Sequence, residues 1–326
     1  MNHRAFAFVA VVSACAPVAA FAQALDLTPY AGRILSDPEF LPLTGQVYGT
    51  TAYTHGWVDG SSVDSLGAET STFHINTNTL AQSLAYGIAD DVSVGASIQY
   101  APQDYRAVDY TNGQSAYLNS SGFSDPTFGA TWRVLEQNTF PANFDLFGSY
   151  TPDWISAHTA SAIQDGTVAR GGDSGIIGAA LGLVTQGFSI RGAFDADFLG
   201  QSSVLNLSNG DVIQAASHTN FDLWLDTQTR LTDLFSVNAG LSHTFASSAA
   251  VNLANGGARL DEPGDSTSLK AALNYNFLPN ALVISATYAH DFYGNSNTLY
   301  ADPVFDTQTR GRNGDTLGVK LYYTMP

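Results

Sequence analysis

The chain has 326 residues, a formal net charge of −17, 44% hydrophobic residues and only 13% charged ones. Such an acidic balance leaves no basic patch to neutralise phosphates, which argues against a nucleic-acid partner. Beyond the N-terminus no stretch approaches the ~18 uninterrupted apolar residues of a membrane-crossing helix, whereas 30 glycines, 19 phenylalanines, 15 tyrosines and 4 tryptophans suit a β-rich membrane protein with aromatic girdles.

Residues 1–22 read as a secretory signal. Arg4 supplies the positive start, Ala5 to Ala20 is small and apolar, and Ala20-Phe21-Ala22 has the form of a cleavage site. A membrane anchor is the competing reading, but the run is short and broken by Pro17. Val12-Ser13-Ala14-Cys15 has the form of a lipobox, although the apolar run continues past Cys15. Cleavage after Ala22 removes the sole cysteine, and with it any disulfide, thiolate nucleophile or thiolate metal site. Residues 23–44 carry Pro29, Pro38 and Pro42 without a period-2 pattern, so they are not a strand. They form either a periplasmic arm, the simpler reading, or a plug folded into a barrel.

From Gly45 onward, twelve strand candidates fall near 45–56, 70–87, 91–104, 123–135, 143–151, 173–185, 187–200, 218–231, 234–246, 266–277, 281–294 and 314–325. The pattern is clearest in the eighth and ninth. Phe221, Leu223, Leu225, Thr227, Thr229 and Leu231 alternate with Asp222, Trp224, Asp226, Gln228 and Arg230; after Thr232-Asp233 the alternation resumes from Phe235 to Phe245. Successive side chains of a strand point to opposite faces, so this is a β-hairpin with one apolar and one polar face. Runs of roughly 11–13 residues exceed the usual ~5–6 of soluble strands and match a tilted membrane strand. In the second candidate Phe73 and Ile75 are odd while Leu80 and Leu84 are even, which predicts a bulge.

Short connections (Ala89-Asp90, 136–142, Gln186-Gly187, Thr232-Asp233, Pro279-Asn280) alternate with long ones near 57–69, 105–122, 152–172, 201–217, 247–265 and 295–313. The long ones are rich in Gly, Ser, Asn and Asp and show no core of their own. The expected fold is all-β: a transmembrane antiparallel up-and-down barrel of about twelve strands over residues 45–326, with short periplasmic turns, long extracellular loops and both ends in the periplasm.

Assigning the apolar set of each strand to lipid places the charged residues on the lumen side, without exception in the clear strands. They are Arg133, Asp145, Arg191, Asp195, Asp197, Asp222, Asp226, Arg230, Lys270, Asp291 and Lys320. Lipid-facing Arg or Lys at mid-bilayer would cost ~2–4 kcal/mol each, so the sorting has a cause. Strand direction puts Arg133, Arg191 and Arg230 near the periplasmic end and Asp197, Asp222 and Asp291 nearer the outside. The lumen is expected to be acidic above and basic below. That arrangement is either a mouth that concentrates cations or a set of Asp–Arg pairs that satisfy one another. Twelve strands at ~4.8 Å spacing and ~40° tilt give a barrel about 24 Å across. This suits passive diffusion of small solutes along a narrow path rather than a wide pore.

Enzyme readings are weaker. Gly172-Asp173-Ser174-Gly175 resembles the serine-protease GDSG string, but a triad is defined by geometry, not by a tetrapeptide. His243 and His290 fall on outward sets near the outer rim, where a twelve-stranded outer-membrane phospholipase keeps a Ser–His site. Here the intervening strand offers only Thr267 outward, with Ser266 and Ser268 inward, so interfacial polar aromatics are the simpler reading. Trp57, Trp132, Tyr100, Tyr150, Tyr288 and Phe292 read as girdle or rim aromatics. Asp195-Ala196-Asp197 has the paired carboxylates of a calcium site, but lumen lining is the more economical reading. No phosphate loop, dinucleotide fingerprint or metal-spaced histidine cluster occurs, so neither an enzyme nor a cofactor is expected.

One segment carries a family resemblance. Gly122-Phe-Ser-Asp-Pro-Thr-Phe-Gly-Ala-Thr-Trp-Arg133 resembles the G-x-G/S-D-x-x-x-G-x-x-Y/W-R signature of outer-membrane transporters, among them proteins associated with phenol meta-cleavage operons and the broader hydrophobic-compound transporters. Ser124 replaces the commoner glycine and Trp132 the commoner tyrosine. The resemblance implies a barrel that takes up small organic, often aromatic, compounds, and it brings no catalytic residues. It also implies recognition by the barrel-assembly machinery, for which such chains usually end in an aromatic residue. This chain ends Met325-Pro326, with Tyr322 and Tyr323 close by. The partners expected are outer-membrane lipid and lipopolysaccharide, that machinery and a small-molecule solute, around a monomer. A structural barrel with a closed lumen and partner-binding loops is the remaining alternative.

Overall fold

A computed structural model describes residues 34–110, 113–161, 164–207, 209–253, 257–278 and 281–325. The signal sequence and residues 23–33 of the arm lie outside the described residues. Twelve strands build the barrel: β1 (Val47–Asp64), β2 (Glu69–Ala89), β3 (Val92–Tyr100), β4 (Thr127–Leu135), β5 (Asn143–Thr151), β6 (Ser174–Val184), β7 (Phe188–Leu199), β8 (His218–Arg230), β9 (Phe235–Phe245), β10 (Ser266–Leu278), β11 (Leu282–Tyr293) and β12 (Thr307–Met325). Each pairs antiparallel with the next. β12 closes on β1, from Val47↔Met325 to Asp64↔Thr307. Closure leaves no strand edge for lipid to face. Among the described residues no helix is long and apolar enough to cross a membrane; the chain crosses with strands.

Register fixes which set faces where. Outward positions carry Leu181, Phe194, Leu223, Leu317 and Val319, all exposed, and inward positions carry the buried Ser189, Gln228, Ser236, Asn274 and Ser285. The fold therefore inverts the soluble pattern: apolar side chains meet lipid, and the protein's interior is polar.

Three sequence expectations change. β1 and β2 pair without interruption from Val47↔Tyr86 to Ser62↔Ser71, so no bulge separates Phe73 from Leu84. The even set of β2 points outward throughout. It is apolar at Leu80 and Leu84, within the bilayer, and polar at His74, Asn76 and Asn78, above it. Phe73 belongs to the inner face of the extension and stacks on Tyr105, ring centroids 6.1 Å apart. The surroundings change along the strand; the register does not.

The long connections are also not coreless loops. β1 runs to Asp64 and β12 begins at Thr307, and seven segments between them fold as strands that continue the sheet outward: Gln103–Asp109 on Ser115–Ser120, Ser202–Asn206 on Asp211–Ala215, Ala249–Asn252 on Ala258–Glu262, and Ser296–Tyr300 against Ala258–Glu262 and β12. They bury Val63, Ala157, Ala249 and Val251. Finally, the rule that charges avoid the outward face fails at Asp315. It accepts hydrogen bonds from Tyr288 Oη at 2.6 Å and lies 2.8 Å from His290 Nδ1 on that face. At this end of the barrel the carboxylate has polar partners, so the mid-bilayer penalty does not apply.

Candidate functional site: the lumen between the arm and the infolded loop

All eleven charged residues expected in the lumen occupy inward register positions. They do not form one site. Arg133 on β4, Asp145 on β5 and Arg191 on β7 converge near the periplasmic end. Arg133 Nε donates to Asp145 Oδ1 at 2.8 Å and its Nη2 to Oδ2 at 3.1 Å, and Arg191 Nη1 donates to Asp145 Oδ2. Arg230 leaves the lumen for the turn, pairing with Asp233 at 2.7 Å. Asp195 and Asp222 stand directly opposite each other across β7 and β8. Each has a neutral donor: Trp224 Nε1 gives to Asp195 at 3.2 Å and Thr244 Oγ1 gives to Asp222. Lys270, Asp291 and Lys320 follow round the wall on β10, β11 and β12, with Lys270 in register with Asp226 of β8 through Gly240.

The fourth member of the basic cluster comes from the arm. Glu39 reaches Arg191 Nη1 at 2.9 Å, Arg133 Nη2 at 3.1 Å and Asn143 Nδ2 at 2.6 Å. The side chains of Glu39 and Asp145 are each 1% exposed. The lower lumen is thus not basic but balanced, two guanidiniums against two carboxylates, because buried charges persist only when paired. The rest of the described arm also meets the inner wall. Leu35 is 1% exposed and its carbonyl accepts from Tyr48 Oη at 3.0 Å. Ser36 accepts from Gln228 Nε2 at 2.7 Å and, through its carbonyl, from Asn238 Nδ2 at 3.0 Å. Phe40 packs on Tyr48. Thr44 binds Asp90 in the β2–β3 turn, and Gly87 is required where Leu43's backbone passes too close for a Cβ. Loss of water pushes the Asp37 carboxyl up to about 6, against the opposing hydrogen bond from the Glu39 amide at 2.8 Å.

Above Glu39 the lumen opens into a cavity of about 400 Å³ whose lining includes Ser93, Thr131, Phe147, Ser149, Ile176, Arg191, Asp195 and Trp224. Phe147 and Trp224 face each other with ring centroids 6.3 Å apart. The Arg191 guanidinium lies 5.7 Å from the Trp224 ring, a cation–π contact. A second cavity of about 270 Å³ lies between inward residues of β2 to β6 and Val168, Ala169 and Arg170. The end of the connection between β5 and β6, at Val168–Arg170, therefore folds inward. The connection is held by Asp125, whose Oδ1 accepts from the amides of Trp154 at 2.8 Å and Ile155 at 2.7 Å, and by Arg170, which donates to the carbonyl of Gly200 beyond β7. The GDSG string at 172–175 is this closure between loop and strand. The segment Gly122–Arg133 gains a physical meaning too, with Asp125 fastening the outer loop at one end of β4 and Arg133 binding the arm at the other.

On the outer wall His243 Nδ1 bonds Thr267 Oγ1 at 2.8 Å and His290 pairs with Asp315. Ser266 and Ser268 take inward positions, beside Thr244 and Ser242. No family model matches the chain, and no curated protein sequence does. Among solved structures it is similar to an outer-membrane channel from Pseudomonas putida F1, with a TM-score of 0.57 and 14% identity over 89% of this chain and 98% of the other. It is also similar to the transport unit of the autotransporter AIDA-I from Escherichia coli, with a TM-score of 0.55 and 15% identity over 89% and 95%. The fold is that of outer-membrane β-barrels.

Sequence reasoning missed Glu39 and the aromatic pair. Glu39 sits in an aperiodic segment that carries no directional signal. Trp224 and Phe147 did leave a trace: both fall within the polar, inward sets of their strands, where an aromatic has no lipid to meet.

Proposed function

We propose that this chain is an outer-membrane channel through which small organic solutes, aromatic ones included, diffuse passively along a narrow charged lumen. The observation that carries the reading is the cavity of about 400 Å³, which sets Phe147, Trp224 and Ile176 beside Arg191 and Asp195 inside the barrel. Pockets of this size, mostly apolar with a few placed polar groups, suit small ligands. The P. putida F1 neighbour is described as an outer-membrane channel, which agrees with this reading. In it, residues 1–22 direct export, the barrel inserts as a monomer among lipid and lipopolysaccharide with help from the assembly machinery, and the arm is a plug over the periplasmic exit. Asp195, Asp197 and Asp222 favour cations toward the outer end.

The test is single-channel recording in a planar bilayer under a salt gradient, with and without residues 23–44. Discrete steps with a cation preference, larger after deletion of the arm, are expected. Folded protein that stays silent in both forms would leave a structural barrel and overturn the channel.

A further inference from the structure

The Glu39 carboxylate is held as a bound ligand is held. It enters from outside the barrel strands and meets only wall groups distant in sequence: Arg191 at 2.9 Å, Arg133 at 3.1 Å and Asn143 at 2.6 Å. Such charge-assisted contacts from two guanidiniums and an amide are a carboxylate-recognition set. The wall is also cut to shape, because a Cβ at Gly182 would occupy the place of this carboxylate. Without the arm, Arg133 and Arg191 keep Asp145 as their shared ion-pair partner, and each loses its bond to Glu39. Directly above lies the aromatic pair, with Arg191 against Trp224 and Trp224 against Phe147.

We propose that Arg133, Arg191 and Asn143 form a solute site for carboxylates that Glu39 occupies from within, and that its external ligand is a small carboxylate with an aromatic or apolar body. The inference rests on the channel reading, which brings solutes to the cavity. The carboxylate of the solute takes the place of Glu39 while its body rests against Phe147 and Trp224. Because Glu39 is tied to the arm, occupancy by solute loosens the arm, so the same exchange admits the solute and opens its exit.

Titration calorimetry on detergent-extracted protein tests this with benzoate and its uncharged counterpart benzyl alcohol. Glu39→Gln removes the internal competitor and should tighten benzoate at least tenfold while changing benzyl alcohol less than twofold. Adding Arg191→Met should abolish the gain. A second readout leaves Glu39 in place: in Ser36→Cys, where Ser36 is 4% exposed, saturating benzoate should speed maleimide labelling several-fold and benzyl alcohol should not. Benzoate binding unchanged in folded Glu39→Gln, an equal gain for the alcohol, or labelling indifferent to benzoate would overturn the proposal. If the wild type still conducts under those outcomes, the channel survives and only this site is lost. Binding as expected by a protein that conducts nothing would support the site and remove the channel.

Discussion

The four-charge cluster makes a quantitative demand that a double-mutant cycle can check. Asp145→Asn is nearly isosteric and removes one carboxylate from between Arg133 and Arg191, leaving two buried guanidiniums to share Glu39. At 2.8 Å and an effective dielectric of about 20, each contact is worth about 6 kcal/mol before desolvation. After desolvation, removing one partner of a buried pair typically costs about 3–5 kcal/mol, because the other charge stays behind. Arg191→Met should cost about the same for the opposite reason, two carboxylates on one guanidinium. The double variant is balanced again, Glu39 on Arg133, so it should lose about 2–3 kcal/mol less than the sum of the singles. Guanidinium chloride unfolding of protein refolded into lipid vesicles, followed by tryptophan fluorescence, measures all three. Additivity within about 0.5 kcal/mol would show that water screens these charges from one another, and the reasoning about a buried cluster would fail.

Other consequences are simpler. Asp37 has its carboxyl raised to about 6 by burial in the docked arm. A raised value means docking is helped by protonation, an effect fully present below about pH 4 and lost as pH rises through 6. Bilayer recordings should therefore show more time closed at pH 5 than at pH 8, and Asp37→Asn should remove the difference. Leu223→Arg puts a charge on the exposed outward face of β8 and should lower stability in vesicles by about 2–4 kcal/mol; an unchanged unfolding midpoint would take that face out of the lipid. Asp125→Ala removes the acceptor of the Trp154 and Ile155 amides, worth ~1–3 kcal/mol where buried. Hydrogen exchange at residues 153–156 should speed up about tenfold or more, and unchanged protection would show that the loop is held elsewhere.

The sequence alone determined the barrel. Alternation along Phe221–Phe245, repeated around the chain, names the membrane strands and their two faces, since lipid punishes a misplaced charge on every strand separately. Membrane-spanning strands report their environment residue by residue, so a local pattern suffices. Even the inward Trp224 was readable as an aromatic among Asp222, Asp226 and Gln228.

Tertiary structure decided the rest. The strands run on past the bilayer, where both faces meet polar surroundings and alternation loses its contrast, so Val63 and Val251 gave no sign of their burial. The arm carries no period, and the place of Glu39 is set by partners 94, 104 and 152 residues away. A buried carboxylate must find its cations wherever the folded wall presents them, and the register of the neighbouring strands β4 to β7 brings Arg133, Asn143, Asp145, Gly182 and Arg191 around one point.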